Sequence, residues 1–331
     1  MLESGADVGG TWYWNRYPGA RCDVESLEYS YQCDEDLQQD WKWTERYATQ
    51  PEILRYVNHV VERFDLRRDM RFGTRAVAAA FDEAIARWTV TTDGGTQFSA
   101  RFLVMATGCL SSANLPNIAG RDSFGGASYH TGQWPHTPVD FTGQRVAVVG
   151  TGSSAIQSIP LIVRQAAGLY VFQRTASCSV PANNAPLDAA QEASVRADYA
   201  GFRARNAQML AAFGARYPRN DASALAAGDA QREQQFERRW RIGGLHFMGS
   251  FNLETAVGRA RLGRAGARQR RCFTLRSGAR SVVGLAGRSQ ARGLPSSRCP
   301  GVRGHTWSRS AQPCQRTPAQ PIRARPTAVS R

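Results

Sequence analysis

The sequence predicts an α/β chain organised around a parallel βαβ unit and closed by a basic tail of different character. Three observations lead there. An apolar run at 144–149 ends in the turn Gly150-Thr151-Gly152, continues at helical spacing to about Ala167, and gives way to a second apolar run at 169–172. Upstream, residues 87–105 alternate and turn in the manner of a hairpin. Beyond residue 254 the composition changes: residues 255–331 hold seventeen arginines and no lysine, aspartate or glutamate.

That last feature decides how the charge is read. A formal net charge of +15 ordinarily points to nucleic acid or an anionic membrane surface. Here the excess belongs to the tail, and residues 1–254 are close to neutral, so no nucleic-acid partner is expected for the body of the chain. Seven cysteines are scattered without a C-x-x-C pair, and no charged-then-apolar leader opens the sequence, so neither a disulfide framework, a zinc site nor export is expected. No apolar run approaches the ~20 residues of a membrane span. The expected setting is the cytoplasm, with reduced thiols and no metal.

The elements follow in chain order. "DVGGTWYWNRYPGARCDVES", residues 7–26, crowds glycines, aromatics, two arginines and an aspartate into one segment, which fits either a rigid turn filled by aromatic packing or part of a site. Residues 49–64 predict an amphipathic helix: Thr49 and Glu52 have capping-box spacing, Pro51 sits in the tolerated first turn, and Ile53, Val57, Val60, Val61 and Phe64 share a face. The hairpin layer alternates through Trp88 and Val90, turns at Asp93-Gly94-Gly95, and is expected to feed a buried strand at 102–105. After the βαβ unit, Val195, Tyr199, Phe202, Met209 and Phe213 keep near-helical spacing and predict a helical insertion over 187–213. The tail shows no sustained period and an Arg/Gly/Ser/Pro/Ala bias that cannot offset chain entropy by apolar burial, so disorder is expected there.

The turn "GTGSSA" carries the most direct chemistry. It follows a strand and opens a helix, the context in which G-x-G-x-x-G/A binds a dinucleotide: Gly150 makes the tight turn, Gly152 admits the pyrophosphate, Ala155 packs the helix, and the helix N-terminus offers free N–H groups. An acidic residue at the end of the next strand would bind a ribose 2′-hydroxyl. This chain has Arg174, whose planar fork suits a 2′-phosphate, so NADP(H) is expected over NAD(H).

Taken together, "GGTWYWNRYPGARCDVES", "MATG", "FGGASYHTGQWP" and "GTGSSA" resemble, in this order and spacing, the flavin-dependent Baeyer–Villiger monooxygenases. The family fingerprint F-x-G-x-x-x-H-x-x-x-W-P is matched by Phe124, Gly126, His130, Trp134 and Pro135. The resemblance implies a two-dinucleotide-binding-domain flavoprotein fold using FAD and NADP. It implies a partial FAD-binding domain at 1–113, a linker at 114–143, a partial NADPH-binding domain with the helical insertion at 144–254, and the tail at 255–331. Glu3 would bind the adenosine ribose, and Gly10, Thr11, Trp12, Asp23 and Tyr29 would lie along the FAD, with Arg21, Cys22 and Asp23 also near the nicotinamide. Gly150, Thr151, Gly152, Ser153, Ser154, Ala155 and Gln157 would hold the NADP pyrophosphate, and Arg174 and Thr175 its 2′-phosphate. Asp23 and His130 are the candidate catalytic residues, His130 by coupling domain movement to the reaction. The implied reaction takes a ketone and O2 to an ester or lactone.

The departures set further expectations. The resemblance opens after the family's first strand, G-x-G-x-x-G turn and helix, and it stops near Asn252 without the family's Lys-Arg-Pro segment. A chain inactive and without flavin on its own is therefore expected, with the arginine tail read as the product of a shifted reading frame. Translating the other two frames of the gene is expected to recover the Lys-Arg-Pro segment. The competing readings are a nonenzymatic NADP(H)-binding fragment, a flavin N- or S-monooxygenase, and a nucleic-acid binder acting through the tail.

Overall fold

The helix expected at 49–64 is α3, Gln50–Arg63, in a computed structural model that describes residues 1–110, 112–174, 179–209, 211–252 and the backbone of 281–285. Two short helices precede it, α1 at Thr11–Trp14 and α2 at Glu35–Asp40. Ile53, Tyr56, Val60 and Val61 of α3 are buried, as the period requires. The expected capping box does not form. Thr49 makes no side-chain cap bond, and Glu52 instead accepts from the N–H and hydroxyl of Thr44, at 2.8 and 2.9 Å. A buried carboxylate takes the two donors that tertiary packing brings to it, which spacing along the chain does not reveal.

The hairpin layer is an antiparallel sheet of β1 (Ala76–Asp82), β2 (Arg87–Thr92) and β3 (Gln97–Ala100), in that order. Trp88 stands opposite Phe81 and Ala100, and Val90 opposite Ala79 and Phe98. The turn is where expected: Asp93 Oδ1 accepts from the Gly94 N–H at 3.0 Å, and Gly95 takes φ 79°. The buried strand expected at 102–105 is corrected. Phe102, Val104 and Met105 are 81%, 85% and 75% exposed, and the chain there is irregular. No strand among the described residues pairs with this run, and an unpaired apolar run gains neither ladder bonds nor burial from extension.

The βαβ unit consists of β4 (Arg145–Val149), α4 (Ser153–Gln165) and β5 (Gly168–Gln173), with the two strands parallel and Val146 level with Leu169. Ile159, Ile162 and Val163 of α4 bury against Phe141, Ala166 and Leu169. A third parallel strand, β6 at Ser281–Leu285, pairs with β5. It comes from the tail, where the adjacent Val282 and Val283 are β-branched and uncharged, which suits a strand. The rest of the tail lies outside the described residues.

The helical insertion is two helices, α5 (Ala189–Ala197) and α6 (Tyr199–Ala207). They part at Asp198, whose carboxylate caps α6 by accepting from the Gly201 N–H at 2.8 Å. Their Val195 and Phe202 join Cys22, Leu27, Leu37, Trp43, Ile53 and Tyr56 in one core, packing the insertion against the N-terminal segment and α3. A helix not expected from the sequence, α7 at Asp229–Ile242, turns at Gly243 (φ 78°) into a tight helical stretch, Gly244–Ser250. Among the described residues no helix is long and apolar enough to cross a membrane.

Candidate functional site

The turn between β4 and α4 has the geometry its sequence anticipates. Gly150 takes φ 106° and donates its N–H to the Phe172 carbonyl at 2.8 Å, a backbone state that favours glycine. A Cβ at Gly150 or Gly152 would meet nothing within 4 Å, so the turn faces open space. Gly152 caps α4 without a side chain over its end. The first-turn N–H groups of Ser153, Ser154 and Ala155 thus have no intrahelical acceptor, and the helix places partial positive charge there. Thr151 is buried and its hydroxyl accepts from Gln173 Nε2 at 2.7 Å, fixing the turn to the end of β5. Arg174, next along the chain, is exposed; Thr175 lies outside the described residues.

Residues 7–26 fold onto α4 rather than forming a separate turn. Tyr17 donates its hydroxyl to Gln157 Oε1 at 2.9 Å, and burial raises the Tyr17 pKa, partly offset by a bond to Ser154. Arg21 bonds Gln157 through both its N–H (3.3 Å) and its carbonyl (3.2 Å), while Asp23 Oδ1 accepts from Gln157 Nε2 at 3.1 Å. Partial dehydration raises the Asp23 pKa, and the Gln157 donor acts against that rise. The Arg21 guanidinium turns to Glu45, 3.1 Å away. Cys22 is buried between them, donating its N–H to Ala48, and burial pushes its thiol up to about 11.

Trp12 packs against the core that holds Cys22, and the remaining predicted residues have partners of their own. Trp12 Nε1 donates to the Tyr29 hydroxyl at 3.0 Å, with the rings edge to face. Gly10, at φ 48°, opens α1 beside Thr11 and has free space where a Cβ would stand. Glu3 accepts the Gly5 N–H at 2.6 Å, so one carboxylate oxygen is taken locally. His130 Nδ1 accepts from the Gly132 N–H at 3.1 Å and caps the short helical turn Thr131–Gln133. Of the other fingerprint residues, Trp134 lies against Tyr129 and Phe141, while Phe124 is exposed with its ring over Gly126, where a Cβ would strike it.

Sequence reasoning missed a second polar cluster on the same segment. Glu25 Oε1 receives Arg46 Nε at 2.7 Å and lies 3.1 Å from His246 Nε2. Burial alone would raise the Glu25 pKa, but the His246 bond and the Arg46 guanidinium lower it to about 2. Arg46 also donates to the Ile242 carbonyl at 2.8 Å, so the cluster joins residues 25–46 to the end of α7. Glu25 and His246 are 221 positions apart, and no local spacing announces them.

Comparison with known proteins gives this arrangement a family. Residues 28–191 match the family described as pyridine nucleotide-disulphide oxidoreductase. The chain is 42% identical over 247 residues to a Baeyer-Villiger monooxygenase of Pseudooceanicola batsensis, covering 74% of this chain and 45% of that protein. It is 40% identical over 255 residues to the phenazine N-monooxygenase PhzNO1 of Lysobacter antibioticus, covering 76% of this chain and 46% of the other. A solved structure of OTEMO in complex with FAD and NADP superposes with a TM-score of 0.71 at 41% identity, over 76% of this chain and 48% of that one. The chain thus spans under half the length of these relatives. On the fold, the ordered motifs and these likenesses together, the chain belongs to the flavin-dependent Baeyer–Villiger monooxygenase family.

Proposed function

We propose that this chain supplies the NADPH-binding part and a portion of the FAD-binding part of a monooxygenase that inserts one oxygen of O2 beside a ketone carbonyl. Residues 1–113 would face the flavin and 144–254 the nicotinamide nucleotide, with 114–143 between them. The observation that carries the reading is the junction at α4. One helix presents its open glycine turn to a dinucleotide and, through Gln157, holds the segment bearing Arg21, Cys22 and Asp23.

The residues fit the nucleotide. The space beside Gly150 and Gly152 admits a pyrophosphate, the first-turn N–H groups of α4 receive it, and exposed Arg174 stands at the strand end for a 2′-phosphate. On the flavin side, the open ground at Gly10 and the paired Trp12 and Tyr29 offer one wall for a planar ring, with Glu3 further along for a ribose. When bound, NADPH supplies the hydride and the flavin the oxygen activation. Over the whole reaction, ketone, O2, NADPH and a proton give ester or lactone, NADP+ and water. The protein's part is to hold both cofactors and keep water from the reacting atoms.

Nucleotide preference tests the site directly. The chain binds NADP+ more tightly than NAD+, and Arg174→Ala loses roughly 1.5–3 kcal/mol of that preference, about ten- to a hundredfold. Equal affinities in the parent chain, read by calorimetry, would discard the 2′-phosphate assignment. The likeness to a phenazine N-monooxygenase supports a second reading, oxygenation at nitrogen. In the whole protein, a ketone product heavier by one oxygen supports the first reading, and an N-oxide formed without ketone oxygenation supports the second.

A further inference from the structure

Gln157 stands among the residues expected to hold the nucleotide, yet its side-chain amide is wholly engaged elsewhere. Its Oε1 accepts from the Tyr17 hydroxyl (2.9 Å) and the Arg21 N–H (3.3 Å), and its Nε2 donates to the Arg21 carbonyl (3.2 Å) and Asp23 Oδ1 (3.1 Å). A primary amide has two acceptor lone pairs and two N–H donors, so all four positions are filled. The Arg21 pair also fixes which way the amide faces, because a reversed group would set donor against donor and acceptor against acceptor. The main chain closes in as well: Gly19, at φ 80°, packs so near the Gln157 carbonyl that a Cβ would collide with it.

Gln157 lies one helical turn beyond Ser153, on the same face of α4, and Ser154 reaches Tyr17. Whatever shifts the first turn of α4 therefore shifts the amide that touches Asp23. The groups acting on Asp23 among the described residues are few. Gln157 donates to it from α4, Tyr17 and Cys22 of its own segment feel its charge, and the Arg21 guanidinium is turned away to Glu45. No described cation neutralises Asp23, which leaves the Gln157 N–H as the donor favouring its carboxylate.

We propose that Gln157 is a positioning residue: it sets the place and ionisation of Asp23 from the dinucleotide-binding helix, and so couples nucleotide occupancy to the proton affinity of Asp23. The first half of this stands on the four bonds alone; the coupling rests on the nucleotide site proposed above. Linkage makes the coupling reciprocal, since a nucleotide that changes the proton affinity of Asp23 is itself bound with a pH-dependent affinity.

Carbon-13 NMR titration of the aspartate carboxyls in the full chain reads this directly, with Asp23 assigned by its loss in Asp23→Asn. Gln157→Met, which has no N–H donor, moves the Asp23 midpoint to higher pH, and Gln157→Glu, which adds a like charge, moves it further. Tyr17→Phe removes one partner of the amide while leaving Asp23 and the α4 core in place, and it gives a smaller upward movement. An Asp23 midpoint unchanged in every variant that folds overturns the positioning role. Adding NADP+ shifts the midpoint in the parent chain and shifts it less in Gln157→Met; equal shifts in both overturn the coupling. Failure of NADP+ to bind the parent chain removes the nucleotide site and the coupling together, while the variant midpoints still decide the positioning role.

Discussion

The residues around α3 and those at 102–124 are both rich in apolar side chains, but only the first set is folded away from water. Around α3, Leu37, Tyr47, Ile53 and Tyr56 are buried almost completely, and two carboxylates among them are held, Glu52 by Thr44 and Glu25 by Arg46. In the second set Phe102, Val104, Met105, Leu110, Leu115 and Phe124 are all exposed. Apolar content is thus not what separates them. What separates them is the presence of partners: α3 has two helices of the insertion and the tryptophan-bearing segment against it, and 102–124 has no strand or helix of the described residues laid along it.

The largest expected effect breaks the buried region at its charged centre. Glu25 and Arg46 have side chains only 5% and 14% exposed, so Arg46→Met leaves a buried carboxylate without its guanidinium and costs about 3–5 kcal/mol of stability. Urea denaturation measures it, and a loss under about 1 kcal/mol would mean the pair is dispensable. The same carboxylate sets a pH window. Its pKa falls from 4.5 to about 2 on folding, so the unfolded chain binds the proton more readily. The resulting stability, on the order of 3 kcal/mol, is present at neutral pH and lost as pH falls from about 4.5 toward 2. Denaturation midpoints flat across that range would refute it.

How much of this was legible in the sequence follows from the range of each interaction. The βαβ unit, α3 and the hairpin turn were readable because period and turn residues act within a few positions: the expected strand at 169–172 is the observed Gly168–Gln173 to within a residue at each end. The glycine turn was readable because φ 106° at Gly150 is a local demand. Glu52 was misread as a capping partner, and 102–105 as a buried strand, because each depends on what tertiary packing does or does not bring alongside. Gln157 was legible as a candidate site residue, but its four bonds reach across more than 130 positions to Tyr17, Arg21 and Asp23. The Glu25–Arg46–His246 cluster gave no signal at all.

A middle-sized effect separates glycines that are required from those that are tolerated. Gly19 combines φ 80° with a close approach to the Gln157 carbonyl, so Gly19→Ala strains the backbone and pushes residues 17–23 off α4. A cost of about 1–3 kcal/mol is expected. Gly125 has an ordinary backbone and open space where a Cβ would be added, and Gly125→Ala should leave stability within about 0.5 kcal/mol of the parent. Thermal melts of the two variants side by side check the contrast, and equal losses would show that Gly19 does not hold the junction.

The smallest expected effect is a null, and it bears most directly on why one apolar region is buried and the other is not. Val104 is 85% exposed, so Val104→Ser removes a side chain that buries little on folding and should change stability by less than about 0.5 kcal/mol. Ile53, 1% exposed, gives the opposite control: Ile53→Ala deletes buried methylene and methyl groups and costs about 2–5 kcal/mol. If partners rather than composition decide burial, the two substitutions differ by at least severalfold in urea denaturation. A loss on Val104→Ser as large as that on Ile53→Ala would mean that 102–105 is packed in solution, and would restore the buried strand that its sequence predicts.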